Sequence, residues 1–404
     1  MNSASSIFAV TNRYKFSSDR SSYAVYRGLL LSLARIFGVK FHAVVPNLSE
    51  QDMCGMLSDK IKIVRLVQGR EGWLDMIPYS HKLLGYTRGF LKRNKVSLIH
   101  HVFYCYKGLE SFNALALFGV IRDYPFVLGP AEVPHMYFAD DHELYEPMLS
   151  RSSFIKTEYQ LVGLLRAYSE VLLRWGFNKT ISECDALVVV NEATRKVYRK
   201  FLSDRKIKVI PLGINLNEFP FSPPPLNQNV LSVGNCIKRK GFEYLIKAMV
   251  KVRKEYPYAL LHLIGDGPRR TYLEALRKKL GLGSSVMFHG RVSQNDLLFA
   301  YRNCRVFCHP SISEGFCHTT LEAMVCGRPV ISTNTIGSDM VEDGQTGFLV
   351  PVADSDAIAE WILAMFDDDE LTYKMGIKAR KKTEEYDWAK IARKYYDLYV
   401  SLTN

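Results

Sequence analysis

Short apolar runs alternate with segments of helical periodicity along most of the chain. In the first half these runs are 7–10, 40–45, 60–64, 97–101, 126–128, 185–190 and 206–211. After the first run, apolar residues recur with the spacing of one helix face, at Tyr23, Tyr26, Leu29, Leu30, Leu33 and Phe37. Short strands that alternate with amphipathic helices predict a parallel, doubly wound α/β sheet.

The alternation stops at a proline-rich stretch and then begins again. Pro220 and the run Pro223–Pro225 lie among small polar residues, which is typical of a linker. Beyond it we predict strands at 229–233, 260–264, 286–289, 306–308 and 329–331, and helices at 244–252, 272–280, 296–303 and 319–325. The pattern predicts two α/β domains joined near residue 215. Because ligands bind beyond the carboxyl ends of parallel strands, we expect a ligand in a cleft between them.

Residues 157–175 have the pattern of a long amphipathic helix. Leu161, Leu165, Leu172 and Trp175 lie on one face, and charged residues lie on another. Most such helices pack on a core, so packing on the first sheet is the favoured interpretation. Contact with an anionic membrane surface is the alternative.

Net charge narrows the partners only slightly. The chain has 404 residues and a formal charge of +12, which favours anionic partners such as nucleic acid, membranes or phosphate-bearing substrates. The basic residues are spread over the chain and no nucleic-acid-binding motif occurs, so we exclude nucleic acid. No signal peptide or long apolar stretch is present, so we expect a cytoplasmic protein, with membrane contact limited to its surface.

The cysteines do not predict a metal site. Eight cysteines occur without a C-x-x-C pair, which favours buried thiols in a reducing compartment. Cys304, Cys308 and His309 are close in sequence, but no second ligand pair follows at zinc-site spacing.

The stretch 313–322 carries the strongest chemical signal. Glu314 follows a predicted strand, and Glu322 lies one turn into a predicted helix. A glycine at 315 allows close backbone approach to a ligand, and the helix N-terminus near Thr319 and Thr320 favours phosphate. Carboxylates on either side of a phosphate can accept hydrogen bonds from sugar hydroxyls. This one loop and helix could therefore hold a sugar, a diphosphate and a ribose. On spacing alone, a glutamate placed there by the helix dipole is an equal alternative. The candidate ligand-binding residues in this stretch are Glu314, Gly315, Phe316, Thr319, Thr320, Leu321 and Glu322.

Two further loops follow strands of the second half. Gly234 to Gly241 contains Lys238, Arg239 and Lys240, and such cations can neutralise the charge of a diphosphate leaving group. A solvated basic turn is the alternative. The turn at Gly265 is a weak signal by itself, but it falls at the same predicted sheet edge.

Candidates in the first half are fewer. Glu132 and His135 follow the strand at 126–128, and His135 is a candidate for proton transfer to or from an acceptor. His100 and His101 end an earlier strand, and His101 is the stronger candidate of the two to face a ligand.

The order of these motifs resembles family 4 of the retaining glycosyltransferases, the glycosyl transferases group 1, which have the GT-B fold of two Rossmann-like domains facing across a cleft. The resemblance covers about residues 180–400. Its motifs here are Asp185–Glu192, Val209–Asn215, Gly234–Gly241, Gly265–Pro268, Pro310–Phe316 through Leu321–Met324, Gly327–Val330, Asp343–Val350 and Tyr386–Trp388. It implies an acceptor-side domain at 1–212, a donor domain at 213–385 and a closing helix at 386–404 that crosses back onto the first domain.

The resemblance also implies roles for single residues. Glu314 would contact donor-sugar hydroxyls, Glu322 the ribose and Lys240 the diphosphate, with Thr319 and Thr320 also at phosphate. It implies transfer with retention of configuration from a nucleotide-sugar, UDP- or GDP-linked, to a glycan, lipid-linked glycan or lipid. It implies no cofactor and no bound metal.

Three positions depart from the family pattern. Asn235 stands where the family has an arginine that is the partner of Lys240. The cationic clamp that these two residues form at the diphosphate loses a charge here unless Lys238 or Arg239 supplies it. Cys317 stands where glycine is common, and His318 where an apolar residue is frequent. The alternatives that remain open are a weakened or non-catalytic nucleotide-sugar-binding protein and a GT-B nucleotide-sugar epimerase.

Overall fold

The structure is a computed structural model, and it describes residues 6–10, 20–45, 58–66, 76–102, 113–131 and 175–404. The chain divides into two compact units. The first unit comprises Met1–Gly213 with Trp388–Asn404, and the second comprises Ile214–Asp387. The two are described separately below.

The strands of both units are parallel to their neighbours. Those of the first unit are Ser6–Val10 (β1), Lys40–Val45 (β2), Ile61–Arg65 (β3), Leu98–His101 (β4), Phe126–Ala131 (β5), Ala186–Val189 (β6) and Ile207–Val209 (β7). Those of the second are Asn229–Val233 (β8), Leu260–Ile264 (β9), Val286–Gly290 (β10), Val306–His309 (β11), Val330–Thr333 (β12) and Gly347–Val350 (β13).

Helices connect these strands. In the described residues they are Arg20–Phe37 (α1), Met76–Arg93 (α2), Ala114–Leu117 (α3), Glu192–Tyr198 (α4), Phe242–Glu255 (α5), Arg270–Lys279 (α6), Gln294–Asn303 (α7), His318–Val325 (α8), Ser355–Asp367 (α9), Asp369–Thr383 (α10) and Trp388–Thr403 (α11). Residues 175–182 are also helical. Trp175 is exposed, so it does not pack on a core as the apolar face of a 157–175 helix predicts. Residues 157–174 lie outside the described residues.

In both sheets the order of the strands reverses next to the first strand, while all strands stay parallel. The orders are β3-β2-β1-β4-β5-β6-β7 and β10-β9-β8-β11-β12-β13. This is the doubly wound order, and it creates a switch point between β1 and β4 in the first sheet and between β8 and β11 in the second. The prediction of two doubly wound α/β domains is confirmed. The apolar runs form central strands because both faces of each sheet are covered.

The C-terminal helix belongs to the first unit. Trp388 begins α11 and packs directly on Gly28 of α1 and on Gly213, where a Cβ atom would overlap the indole. Further along, Ile391, Tyr395 and Tyr399 are buried with α1 residues in one core of the first sheet. The core of the second unit lies where α5 and α9 cover its sheet.

None of the helices among these residues has both the length and the apolar content that a membrane crossing requires.

Candidate active site

Three loops of the second unit meet at the carboxyl edge of its sheet, at the switch point. They follow β8, β9 and β11. The loop after β8 packs on the loop after β9 so closely that a Cβ on Gly265 would overlap the carbonyl of Gly234. Gly241 has φ +63 and lies against the carbonyl of Pro310, a close approach that only glycine allows. The glycines therefore bring the basic loop and the Glu314 loop together.

The carboxylate of Glu314 is the centre of this edge. Lys240 Nζ lies 2.5 Å from Oε2, and Arg239 Nη1 lies 2.9 Å from Oε1. Arg239 also donates to the carbonyl of Ser313 at 3.1 Å. The hydroxyl of Ser311 and Nε2 of His309 each lie 3.5 Å from Oε2. Each carboxylate oxygen therefore faces a cation.

This arrangement keeps Glu314 ionised although the residue is only 8% exposed. Burial opposes ionisation, but the charges of Lys240 and Arg239 outweigh it and hold the pKa of Glu314 well below its usual value. The carboxylate is therefore an acceptor of hydrogen bonds at neutral pH. A sugar hydroxyl is a suitable donor for it.

Glu322 lies on α8, as predicted, and has two protein partners. Tyr301 donates its hydroxyl to Oε2 at 2.7 Å, and Nδ1 of His318 lies 3.2 Å from Oε1. Tyr301 and His318 therefore orient this carboxylate. Sequence reasoning singled out His318 only as a departure from the family pattern, and it missed Tyr301, which lies twenty-one residues before Glu322.

The side chains of two predicted phosphate-binding residues, Thr320 and Leu321, are too deeply buried to contact a phosphate. The side chain of Thr320 is fully buried and hydrogen-bonded to the thiol of Cys317, so its hydroxyl is directed inwards. Leu321 is fully buried too, and its amide donates to the carbonyl of Cys317 within the helix. Thr319 is half-buried. The amides of Thr319 and Thr320 lie in the first turn, where helical N–H groups have no intrahelical partner.

The remaining predicted residues of the second unit differ in how far they lie from the groups around Glu314. Asn235 is exposed at the edge of the basic loop, and Lys238 is exposed as well. Phe316 is buried with its ring 6.3 Å from that of Tyr386. Gly315 lies against Gly337, where a Cβ would approach the backbone of residues 314–316 within 2.8–3.0 Å. Sequence reasoning missed Gly337 because nothing near it in the chain indicates this contact.

His100 and His101 do not face a ligand in the described part of the first unit. The prediction that His101 faces a ligand is wrong, because both His100 and His101 are fully buried. His100 Nε2 contacts the carbonyl of Gly129 at 2.7 Å and its Nδ1 contacts the Tyr399 hydroxyl at 2.7 Å. The Nδ1 atom of His101 contacts the amide of Asn113 at 2.9 Å. Glu132 and His135 lie outside the described residues.

Across the described ranges, no group of three or more His, Cys, Asp or Glu side chains could hold a metal ion. Cys304 and Cys308 are buried free thiols. That the reaction needs no metal stays a prediction from the family resemblance.

A comparison with known protein families matches the second unit, which contains these residues. The family model described as glycosyl transferases group 1 matches residues 218–382. An uncharacterized glycosyltransferase of Haemophilus influenzae is 29% identical over 218 residues, which cover 53% of this chain and 61% of the relative. The phosphatidyl-myo-inositol mannosyltransferase of Mycobacterium leprae is 28% identical over 224 residues, covering 53% and 59%. The chain thus spans about three-fifths of these curated relatives.

Among solved structures, Anabaena HepE in complex with UDP shares the fold. Its TM-score is 0.70 at 18% identity, and the match covers 98% of this chain and 100% of that one. Residues 218–382 of this chain are therefore similar to the glycosyl transferases group 1.

Proposed function

We propose that this protein is a retaining glycosyltransferase that moves a hexose-type sugar from a UDP- or GDP-sugar to a hydroxyl of a glycan, a lipid-linked glycan or a lipid. The observation that carries the proposal is the contact of Glu314 with both Lys240 and Arg239 at the switch point of the second sheet. The family match at 218–382 and the nucleotide complex of a protein with this fold support it.

The arrangement suits departure of a diphosphate. A nucleotide diphosphate gains negative charge as the bond to the sugar breaks, and preorganised cations lower the free energy of that state. Lys240 and Arg239 are the cations closest to Glu314, and the first turn of α8 adds amide donors. In this proposal Glu314 accepts bonds from donor-sugar hydroxyls while Glu322 holds the ribose. The leaving phosphate helps to deprotonate the acceptor, and no metal takes part.

Arg239 argues against the weakened or non-catalytic alternative. The family's arginine position is Asn235 here, but Arg239 Nη1 lies 2.9 Å from Glu314. We infer that Arg239 supplies the second cation of the clamp. His135 remains our candidate for contact with the acceptor. The location that we propose is cytoplasmic, with a peripheral contact to anionic membrane when the acceptor is a lipid.

A thermal-shift screen with UDP-, GDP- and ADP-sugars tests the donor site, because a ligand that binds only the folded state raises its melting temperature. We expect one nucleotide class to stabilise the wild type, with a smaller shift for Glu314→Gln. No shift with any donor would contradict the proposal.

The bound donor is then incubated with candidate acceptors and followed by NMR. A new glycosidic anomeric signal with the donor's configuration is expected. Conversion of the donor to its epimer without an acceptor would favour the epimerase alternative instead.

A further inference from the structure

His309 is a buried histidine beside the proposed donor site that the family motifs do not include. It is the last residue of β11 and is 2% exposed. Its ring is parallel to that of Phe307 at 6.5 Å, and its Nε2 lies 3.5 Å from Glu314 Oε2. Neither ring nitrogen makes a hydrogen bond of good geometry. A buried polar ring without such bonds costs free energy, so the attraction of nearby charge must help to hold it there.

The charged and titratable groups that face His309 come from three segments. They are Glu314 in the loop after β11, Cys317 at the start of α8 and Lys240 in the loop after β8. Burial opposes a charged imidazole and Lys240 repels it. Cys317 and Glu314 outweigh both and raise the pKa of His309. The imidazole therefore tends towards its charged form, in which both nitrogens are donors.

Cys317 responds in the opposite direction. Burial opposes the thiolate, but the nearby His309 and Lys240 lower the pKa of Cys317. Burial raises the pKa of the other cysteines of the described chain, which are Cys184, Cys236, Cys304, Cys308 and Cys326. Cys317 is also the N-cap residue of α8, where the helix dipole favours negative charge. Its thiol contacts the Thr320 hydroxyl.

We propose that His309 is a positioning residue of the donor site, which holds the Glu314 carboxylate beside Lys240. The inference rests on the proposed function. Lys240 and Arg239 approach the two oxygens of Glu314. His309 Nε2 lies 3.5 Å from Oε2, where its N–H and the positive charge of the protonated ring face the carboxylate. The carboxylate is thereby fixed in the orientation in which it meets the sugar. His309 should therefore affect binding of the sugar part of the donor and leave binding of the nucleotide unchanged.

The test compares a nucleotide-sugar with its free nucleotide by calorimetry, using UDP-glucose with UDP and GDP-mannose with GDP. The matched variants are His309→Gln, whose amide reaches the place of Nε2, and His309→Asn, whose amide reaches only that of Nδ1. We expect His309→Asn to weaken binding of the nucleotide-sugar about tenfold and to leave binding of the nucleotide within about twofold. His309→Gln should recover most of the loss.

The pH dependence supplies a readout that a packing role would not change. In the wild type, the preference for nucleotide-sugar over nucleotide should fall as pH rises through the raised pKa of His309. It should be flat in His309→Gln. In Cys317→Gly the imidazole loses its counter-charge, so the same fall should occur at lower pH. His262→Asn is the matched control, because His262 lies on β9 and pairs with His289 at 3.0 Å.

Three results would overturn the inference: equal losses for nucleotide-sugar and nucleotide in His309→Asn, no recovery in His309→Gln, or the wild-type pH dependence in His309→Gln. If His309→Asn does not fold, His309→Gln and Cys317→Gly decide through the pH dependence. A wild type that binds neither pair of ligands contradicts the proposed function as well. Wild-type binding that is unchanged in His309→Asn contradicts this inference alone.

Discussion

The two sheets place a histidine at equivalent strand ends and treat it in opposite ways. β4 and β11 each flank the switch point of their own sheet, and they end at His101 and His309. Burial, with His100 next to it, lowers the pKa of His101 to about 3, and burial lowers that of His100 to about 4. The pKa of His309 is raised instead, although this residue is equally buried.

The difference lies in the neighbours. His101 contacts the side-chain amide of Asn113, and His100 contacts a carbonyl and a phenol hydroxyl. These partners are neutral, and they fit an imidazole with one proton. His309 faces a carboxylate and a thiol, which favour a second proton. A buried histidine therefore indicates charge chemistry only when anions are present to offset the cost of burial. The predictions below test this contrast, beginning with the largest expected effect.

Glu314→Gln removes the carboxylate that distinguishes the surroundings of His309 from those of the first-unit histidines. We expect sugar transfer to fall by about 10²–10³-fold, the usual loss when a preorganised electrostatic group is removed. The measurement is the initial rate with the donor found by the thermal-shift screen. The melting temperature of the variant shows whether the fold survives. Wild-type turnover in a folded variant would remove Glu314 from the site.

Arg239→Ala tests whether this residue replaces the missing family arginine. We expect donor affinity to fall about tenfold, the effect of losing one charged hydrogen bond. Asn235→Arg in the same chain should restore much of the affinity. Lys238→Ala is the control, since Lys238 is an exposed cation of the same loop. An equal loss of affinity in the control would show that only the overall positive charge of the loop matters, and not the specific contact made by Arg239.

Lowering the pH tests the effect of the buried His100 on the stability of the first unit. The folded pKa of His100 is depressed from 6.5 to about 4, so the unfolded chain takes up the proton first. The stabilisation is therefore complete above pH 6.5 and is lost as pH falls towards 4. Hydrogen exchange of β4 and β5 amides should show this loss. A His100→Gln variant should lack the part that His100 contributes, while His101, whose pKa is also depressed, continues to contribute. An unchanged slope in that variant would assign the loss to other groups.

Tyr399→Phe makes the smallest change, because it removes one buried hydroxyl that contacts His100. We expect the free energy of unfolding to fall by about 1 kcal/mol, with nucleotide binding unchanged. Tyr396→Phe is the control, since the Tyr396 ring stacks on Phe37 at the edge of the same core. A loss of nucleotide binding in Tyr399→Phe would contradict a purely structural role for this contact.

Most of the described fold could be predicted from the chain. The strand at 229–233 has the predicted bounds, and β11 is one residue longer than the predicted strand. The helices begin within a few residues of the predicted positions, because apolar periodicity follows from which face is buried. Prediction was weakest where one residue can pack in two ways, as at His101 and Thr320. Both are polar in sequence, and both side chains are fully buried.

The sequence by itself determined the class of fold, and it singled out Glu314, Lys240 and Glu322 as residues of the family motifs. Periodicity and glycine spacing are local properties, so they can be read along the chain. Only the tertiary structure decided that Arg239 reaches Glu314 seventy-five positions away. It also decided that His309 meets a thiol and a carboxylate while His100 meets neutral partners. These outcomes depend on which side chains converge at a sheet edge, and burial makes each such neighbour decisive for charge.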